Sequence, residues 1–200
     1  MKKLFAILVI VALALGGWLL FLKDKSHKEG SRQQPLKVGK HSSEFNQSIN
    51  SVVSAYLSLK DAFVNADIAK IKEQEKKFIS VIDSVKLDDL KKDTTGIFQS
   101  AQLIIGDIKS NAEAISKETD ITEMRQDFRM VSENFFPLLK TIHYEGEKLY
   151  WQNCPMAFGE GKDASWISNT EEIINPYLGK NHPEYKGTML HCGEIKDTIQ

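Results

Sequence analysis

The chain predicts an all-α protein: an up-down-up-down four-helix bundle with an irregular C-terminal segment packed on one end, after an N-terminal membrane anchor. Three observations point there. Apolar residues recur at alternating steps of three and four through residues 42–150. Short polar breaks separate four such runs, and glycine and proline are scarce before residue 150. Apolar seams of this spacing suit helices packed nearly parallel or antiparallel, and short loops make neighbours antiparallel.

The N-terminus comes first. Met1-Lys2-Lys3 precedes an uncharged, mainly apolar run over residues 4–22, which Lys23-Asp24-Lys25 ends. At about 1.5 Å per residue such a helix nearly crosses a hydrocarbon core of about 30 Å. No Ala-x-Ala site ends the run and no lipobox cysteine follows it. Residues 1–22 are therefore expected to anchor the chain in an inner membrane, a cleaved secretory signal being the alternative. Either way the rest is expected to be exported, to the periplasm in a bacterium, where cysteines often pair. Residues 23–41 are polar and lack periodicity, as expected of a flexible tether.

The first helical run carries Phe45, Ile49, Val52, Tyr56, Leu59 and Phe63, and the second Ile68, Ile71, Phe78, Ile82 and Val85, interrupted by Glu75. Leu90, Ile97, Ala101, Ile104, Ile108 and Ile115 mark a third, and residues from Ile121 through Phe128, Phe135 and Ile142 to Leu149 a fourth. Asp67 is placed to cap the second helix, and Asp120 with Glu123 resembles a capping box for the fourth. Pro137 should kink or split the fourth. After Tyr150 the periodicity stops, and prolines and glycines alternate with Trp151, Phe158, Trp166, Tyr177 and Tyr185. Residues 151–200 thus predict an irregular, aromatic-pinned part of the same domain, with one short helix around residues 169–174.

Net charge is −1, with Lys and Arg interleaved among Asp and Glu, so no global field draws the chain to nucleic acid. The chain lacks Cys-x-x-Cys-His, Cys-x-x-Cys, His-Glu-x-x-His, Gly-x-Ser-x-Gly and a phosphate-binding glycine loop, and its bundle helices lack Glu-x-x-His. These absences argue against c-type haem, common hydrolase sites and a di-iron centre. No enzyme activity is expected.

What remains is sulfur. The two cysteines each stand near a methionine, Cys154 with Met156 and Cys192 with Met189. Thiolates and thioethers are soft donors that suit Cu(I) and Ag(I). In an extended segment Cys154 and Met156 lean to one side, and one helical turn aligns Met189 with Cys192. His191 and His182 are accessory nitrogen candidates. The competing reading is a Cys154–Cys192 disulfide, worth about 3–4 kcal/mol for a loop of this size, with the methionines as core fillers. A reactive thiol at Cys154 is a third.

The runs CPMAF (154–158), WIS (166–168), EIINPYLG (172–179) and MLHCG (189–193) resemble an uncharacterised exported bacterial domain of the Bacteroidetes type. That domain also occurs at the C-terminal end of periplasmic adaptor subunits of heavy-metal efflux pumps of the resistance-nodulation-division type. AYLSLKDAFVNAD (55–67) and DITEMRQDFRMVSENFFPLLK (120–140) resemble its first and last helices. The resemblance implies copper or silver handling through Cys154, Met156, Met189 and Cys192, beside an efflux adaptor or another periplasmic metal protein. It implies no enzyme activity. One departure is the longer loop at 180–188, which brings His182 into consideration. The expected function is an anchored metal-holding or metal-transfer protein; the alternative is a non-metal interaction module of an envelope complex with a structural disulfide.

Overall fold

A computed structural model describes residues 40–200. The expected anchor at residues 4–22 and most of the tether lie outside the described residues. Four helices come first: α1 (Ser43–Asn65), α2 (Ile68–Asp83), α3 (Ile97–Lys117) and α4 (Ile121–Thr141). A 3-10 turn, Asp88–Lys92, lies between α2 and α3. Three strands follow: β1 (Leu149–Cys154), β2 (Ala164–Ser168) and β3 (Glu194–Ile199). Among the described residues no helix is long and apolar enough to cross a membrane.

The helices form where the seams predict them. Asp67 caps α2 by accepting the Lys70 N–H at 2.9 Å. Asp120 caps α4 by accepting from the Thr122 N–H at 2.8 Å and the Glu123 N–H at 3.3 Å. These bonds satisfy N–H groups that a helix start leaves without partners. Successive helices pack against one another, α1 on α2, α2 on α3 and α3 on α4. Glu75, which interrupts the apolar row of α2, is buried and bonded by the Ser116 hydroxyl of α3.

Several expectations are corrected. The third helix does not begin at Leu90. Asp93 bonds the Thr95 N–H at 2.6 Å, and Gly96 (φ +88°) starts α3 afresh, so Leu90 sits on the separate 3-10 turn. The fourth helix runs through Pro137 without splitting and stops at Thr141, and Leu149 belongs to a strand. Residues 151–200 are not simply irregular: β1 is the centre of an antiparallel sheet in the order β2-β1-β3. Residues 169–174 make bends, not a helix.

The sheet is tied to the bundle through buried phenols. Tyr56 of α1 stacks with Phe128 of α4 at 5.4 Å and lies 5.3 Å from Phe135. Its hydroxyl pairs with the Ser132 hydroxyl at 2.7 Å and accepts the Ile167 N–H of β2 at 3.1 Å. Tyr177 donates its hydroxyl to the Ser165 carbonyl at 2.6 Å. Phe136 of α4 stacks on Trp151 of β1 at 4.5 Å, and Lys140 pairs with Asp197 of β3 at 2.6 Å. The Asn-Pro-Tyr-Leu-Gly segment docks on the end of α1, where Lys180 N–H donates to the Val64 carbonyl at 2.8 Å. A Cβ on Gly179 would lie 2.2 Å from that carbonyl oxygen, so only glycine allows the approach.

Tyr56→Phe should cost about 1–3 kcal/mol, because it strands the buried Ile167 N–H and leaves Ser132 with one partner fewer. Denaturant unfolding checks this against Tyr150→Phe, which removes only an exposed bond to Glu171 and should change stability little.

Candidate functional site

Cys154 ends β1, and register explains what it meets. Asn153 pairs with Glu194 across the antiparallel β1–β3 ladder. That pair carries the chain just before β3, Cys192 and Gly193, to the end of β1, where Gly193 lies against the Asn153 carbonyl. Two further devices hold the second segment there. The Asn175 side chain accepts the Tyr177 and Leu178 N–H groups at 2.8 and 2.9 Å, which builds a local turn. The same side chain donates to the Cys192 carbonyl at 2.8 Å, and the Asn175 N–H donates to the Leu190 carbonyl at 2.8 Å. Gly193 (φ +147°) completes the approach: a Cβ there would stand 2.9 Å from the Asn153 carbonyl oxygen and 3.0 Å from the Trp166 ring.

The outcome is a pair of free thiols that interact. Cys154 is fully buried and Cys192 half-buried. The Cys192 thiol is pushed up from an ordinary 9.0 to about 12, first by burial, then by its hydrogen bond and charge interaction with Cys154. The physical reason is that two adjacent sulfurs in an apolar setting cannot both carry negative charge unaided.

The methionines flank this pair in sequence and are half-buried against the same hydrophobic core. Met189 and Cys192 share one turn, closed by the Cys192 N–H on the Met189 carbonyl at 3.0 Å. Met156 differs from expectation. The chain turns directly after Cys154, with the Gly159 N–H on the Met156 carbonyl at 3.1 Å, so strand alternation does not set its direction. His191 is exposed, with Nδ1 2.8 Å from the Ile173 carbonyl. The His182 Nδ1 atom accepts from the Glu184 and Tyr185 N–H groups at 3.2 and 3.3 Å, and its ring stacks on Tyr185. Its pKa is lowered by burial and then by Arg125, so it sits beside a cation. Among the described residues no three His, Cys, Asp or Glu side chains gather as a metal-holding group. The two cysteines are thus brought together, and neither histidine joins them as a third such donor.

Asn175 and the β1–β3 register are the positioning features that sequence reading missed. Asn-Pro-Tyr is a recognisable turn signal, but nothing in it names Cys192 as the partner.

Fold and site define a mostly helical protein with four helices, a small three-stranded sheet and a dithiol at the end of the sheet's central strand. Residues 52–146 match the family described as "Protein of unknown function (DUF3347)". That span covers most of α1 and all of α2 to α4 and ends before Cys154 and Cys192. No curated protein and no solved structure matches the chain.

The raised Cys192 pKa has a definite sign for stability. Below pH 9 the Cys192 thiol is protonated folded or unfolded. Above it the unfolded chain ionises first, so stability falls as pH rises towards about 12. Under reducing anaerobic conditions the protein should therefore lose more stability across that window than Cys192→Ser does, as urea midpoints at stepped pH will show.

Proposed function

We propose that this chain holds a soft monovalent metal, Cu(I) or Ag(I), as cargo between Cys154 and Cys192, and passes it to an efflux or assembly partner. The observation that carries this reading is the meeting of two free thiols from distant segments, with burial disfavouring the Cys192 thiolate. A bound cation reverses that penalty. It replaces the thiol protons and stabilises both thiolates at once, so binding releases protons. Met156 and Met189 add neutral thioethers, which need no deprotonation and suit the same ions. Ligation by few soft donors favours hand-over, because a partner displaces one ligand at a time. Neither His191, bonded at Nδ1 to the Ile173 carbonyl, nor His182, engaged elsewhere, is needed for the site.

The reading is non-catalytic. The placement in the cell that goes with it, a periplasmic domain anchored in the inner membrane, rests on residues 4–22 alone. The fusion of similar domains to heavy-metal efflux adaptors suggests the partner.

A second reading has its own support. Cys154 is fully buried and no third His, Cys, Asp or Glu donor completes a chelate, which also suits a structural disulfide in a non-metal interaction module. Thiol counting on protein isolated from its native compartment separates the two. A fully oxidised pair that resists mild reductant favours the disulfide.

Anaerobic titration of the reduced full-length protein with Cu(I), against a competing chelator, should give one tight site per chain. Affinity should rise from about pH 6 to about pH 8 as protons are displaced. Cys154→Ser/Cys192→Ser should abolish the site, and Met156→Leu/Met189→Leu should weaken it about tenfold. Parent-like binding by the double cysteine variant contradicts the proposal.

A further inference from the structure

A second cavity, of about 290 Å³, lies where the first turns of α4 meet the turn after β1 and the loop at residues 180–188. Arg125 lines it. This side chain is only 2% exposed, and its Nε and Nη2 atoms have no hydrogen-bond partner among the described residues. Lys60, another buried cation, differs in touching a carboxylate, that of Asp61 at 3.1 Å. Burial lowers the Arg125 pKa to about 10, against a smaller opposing pull from the Asp120 charge, which leaves it cationic at neutral pH. A buried guanidinium with two nitrogens lacking hydrogen-bond partners is costly, and its cost falls when an anion brings both charge and acceptors.

The chemistry of that anion is readable. Nε and Nη2 form the edge of the guanidinium whose N–H bonds run parallel, which matches the two oxygens of a carboxylate. His182 accepts backbone N–H groups at Nδ1, so its neutral ring carries the proton on Nε2, a second donor in the lining. Thr122 and Gln126 add polar groups from α4. Phe158, Tyr177 and Tyr185 supply aromatic surface. Glu184 is the one carboxylate in the lining, and its charge acts on His182, raising its pKa against the larger lowering by burial. The volume is at the small end of ligand sites, about 300–1,000 Å³. A cation beside the histidine makes the cavity unfit for a metal ion.

We propose that Arg125, with His182, binds a small organic carboxylate whose apolar body rests against Phe158, Tyr177 and Tyr185. The site is independent of the thiol pair. It gives the loop at residues 180–188 a role that the sulfur chemistry does not.

The test uses full-length protein at fixed ionic strength, with benzoate, benzamide and inorganic phosphate as probes, read by calorimetric titration and thermal unfolding. Benzoate should bind saturably and raise the unfolding temperature. Benzamide, the same shape without the charge, should bind at least about tenfold more weakly, the factor expected for charge-assisted bonds. Arg125→Met should lose benzoate by the same factor while keeping its fold, since removing an unpaired buried charge is often neutral or stabilising. Cys154→Ser/Cys192→Ser should bind benzoate as the parent does. Absence of saturable benzoate binding, equal binding of benzamide, preference for phosphate, or unchanged binding in Arg125→Met each overturns the proposal. The benzoate–benzamide comparison in the parent stands even if Arg125→Met fails to fold.

Discussion

The Tyr56 hydroxyl is the point on which the arrangement of helices and sheet depends. It is buried between α1, α4 and β2, and it serves a side chain of one layer and a backbone amide of the other. Burial raises its pKa, so it remains a neutral phenol. A hydrogen bond in such a setting is expensive to leave unmade, which fixes β2 on the bundle more firmly than apolar contact alone. β2 fixes β1 by register, and β1 fixes the position of Cys154. The thiol site is therefore positioned by the helices although it contains no helical residue.

Two electrostatic settings then coexist on one scaffold. At the end of the central strand, the Cys192 thiol lies beside Cys154 in an apolar site where burial disfavours its negative charge. At the first turns of α4, a guanidinium is held with two nitrogens lacking hydrogen-bond partners in a cavity of aromatic and polar groups. On the proposals above, the first arrangement takes a soft cation and the second an organic anion. The chain from Ala157 to Gly159 lines the anion cavity immediately after Cys154 and Met156 end the sulfur segment, so the two sites lie on successive residues of one turn. Surface ion pairs, such as Lys70 and Lys77 with Glu73, are exposed and add little to either.

Much of this was legible in residue order. The helix seams, from Phe45 to Phe63 and from Met124 to Leu138, are the buried faces, and Asp67 and Asp120 cap where their positions suggest. The strands were hidden for physical reasons. β3 is exposed along most of its length, so its apolar pattern is nearly mute, and β2 is buried on both faces and shows no alternation. The early start assigned to the third helix ignored the Asp93–Thr95 turn, whose side-chain bond competes with helix. The pairing of Cys154 with Cys192 depends on ladder register and on Asn175 and Gly193, which are tertiary facts. Arg125 stands one turn after Ile121 on the inner face of α4, and nothing in its sequence neighbours distinguishes a buried orphan from a solvated surface charge.

The central claim is that both cysteine sulfurs share one pocket and meet one ion. X-ray absorption at the copper edge of Cu(I)-loaded, reduced protein tests it most directly. The account predicts a sulfur-dominated shell containing both cysteine sulfurs, which loses sulfur scattering in Cys192→Ser and again in Cys154→Ser. A shell of nitrogen and oxygen, or a sulfur shell unchanged by either substitution, would contradict it.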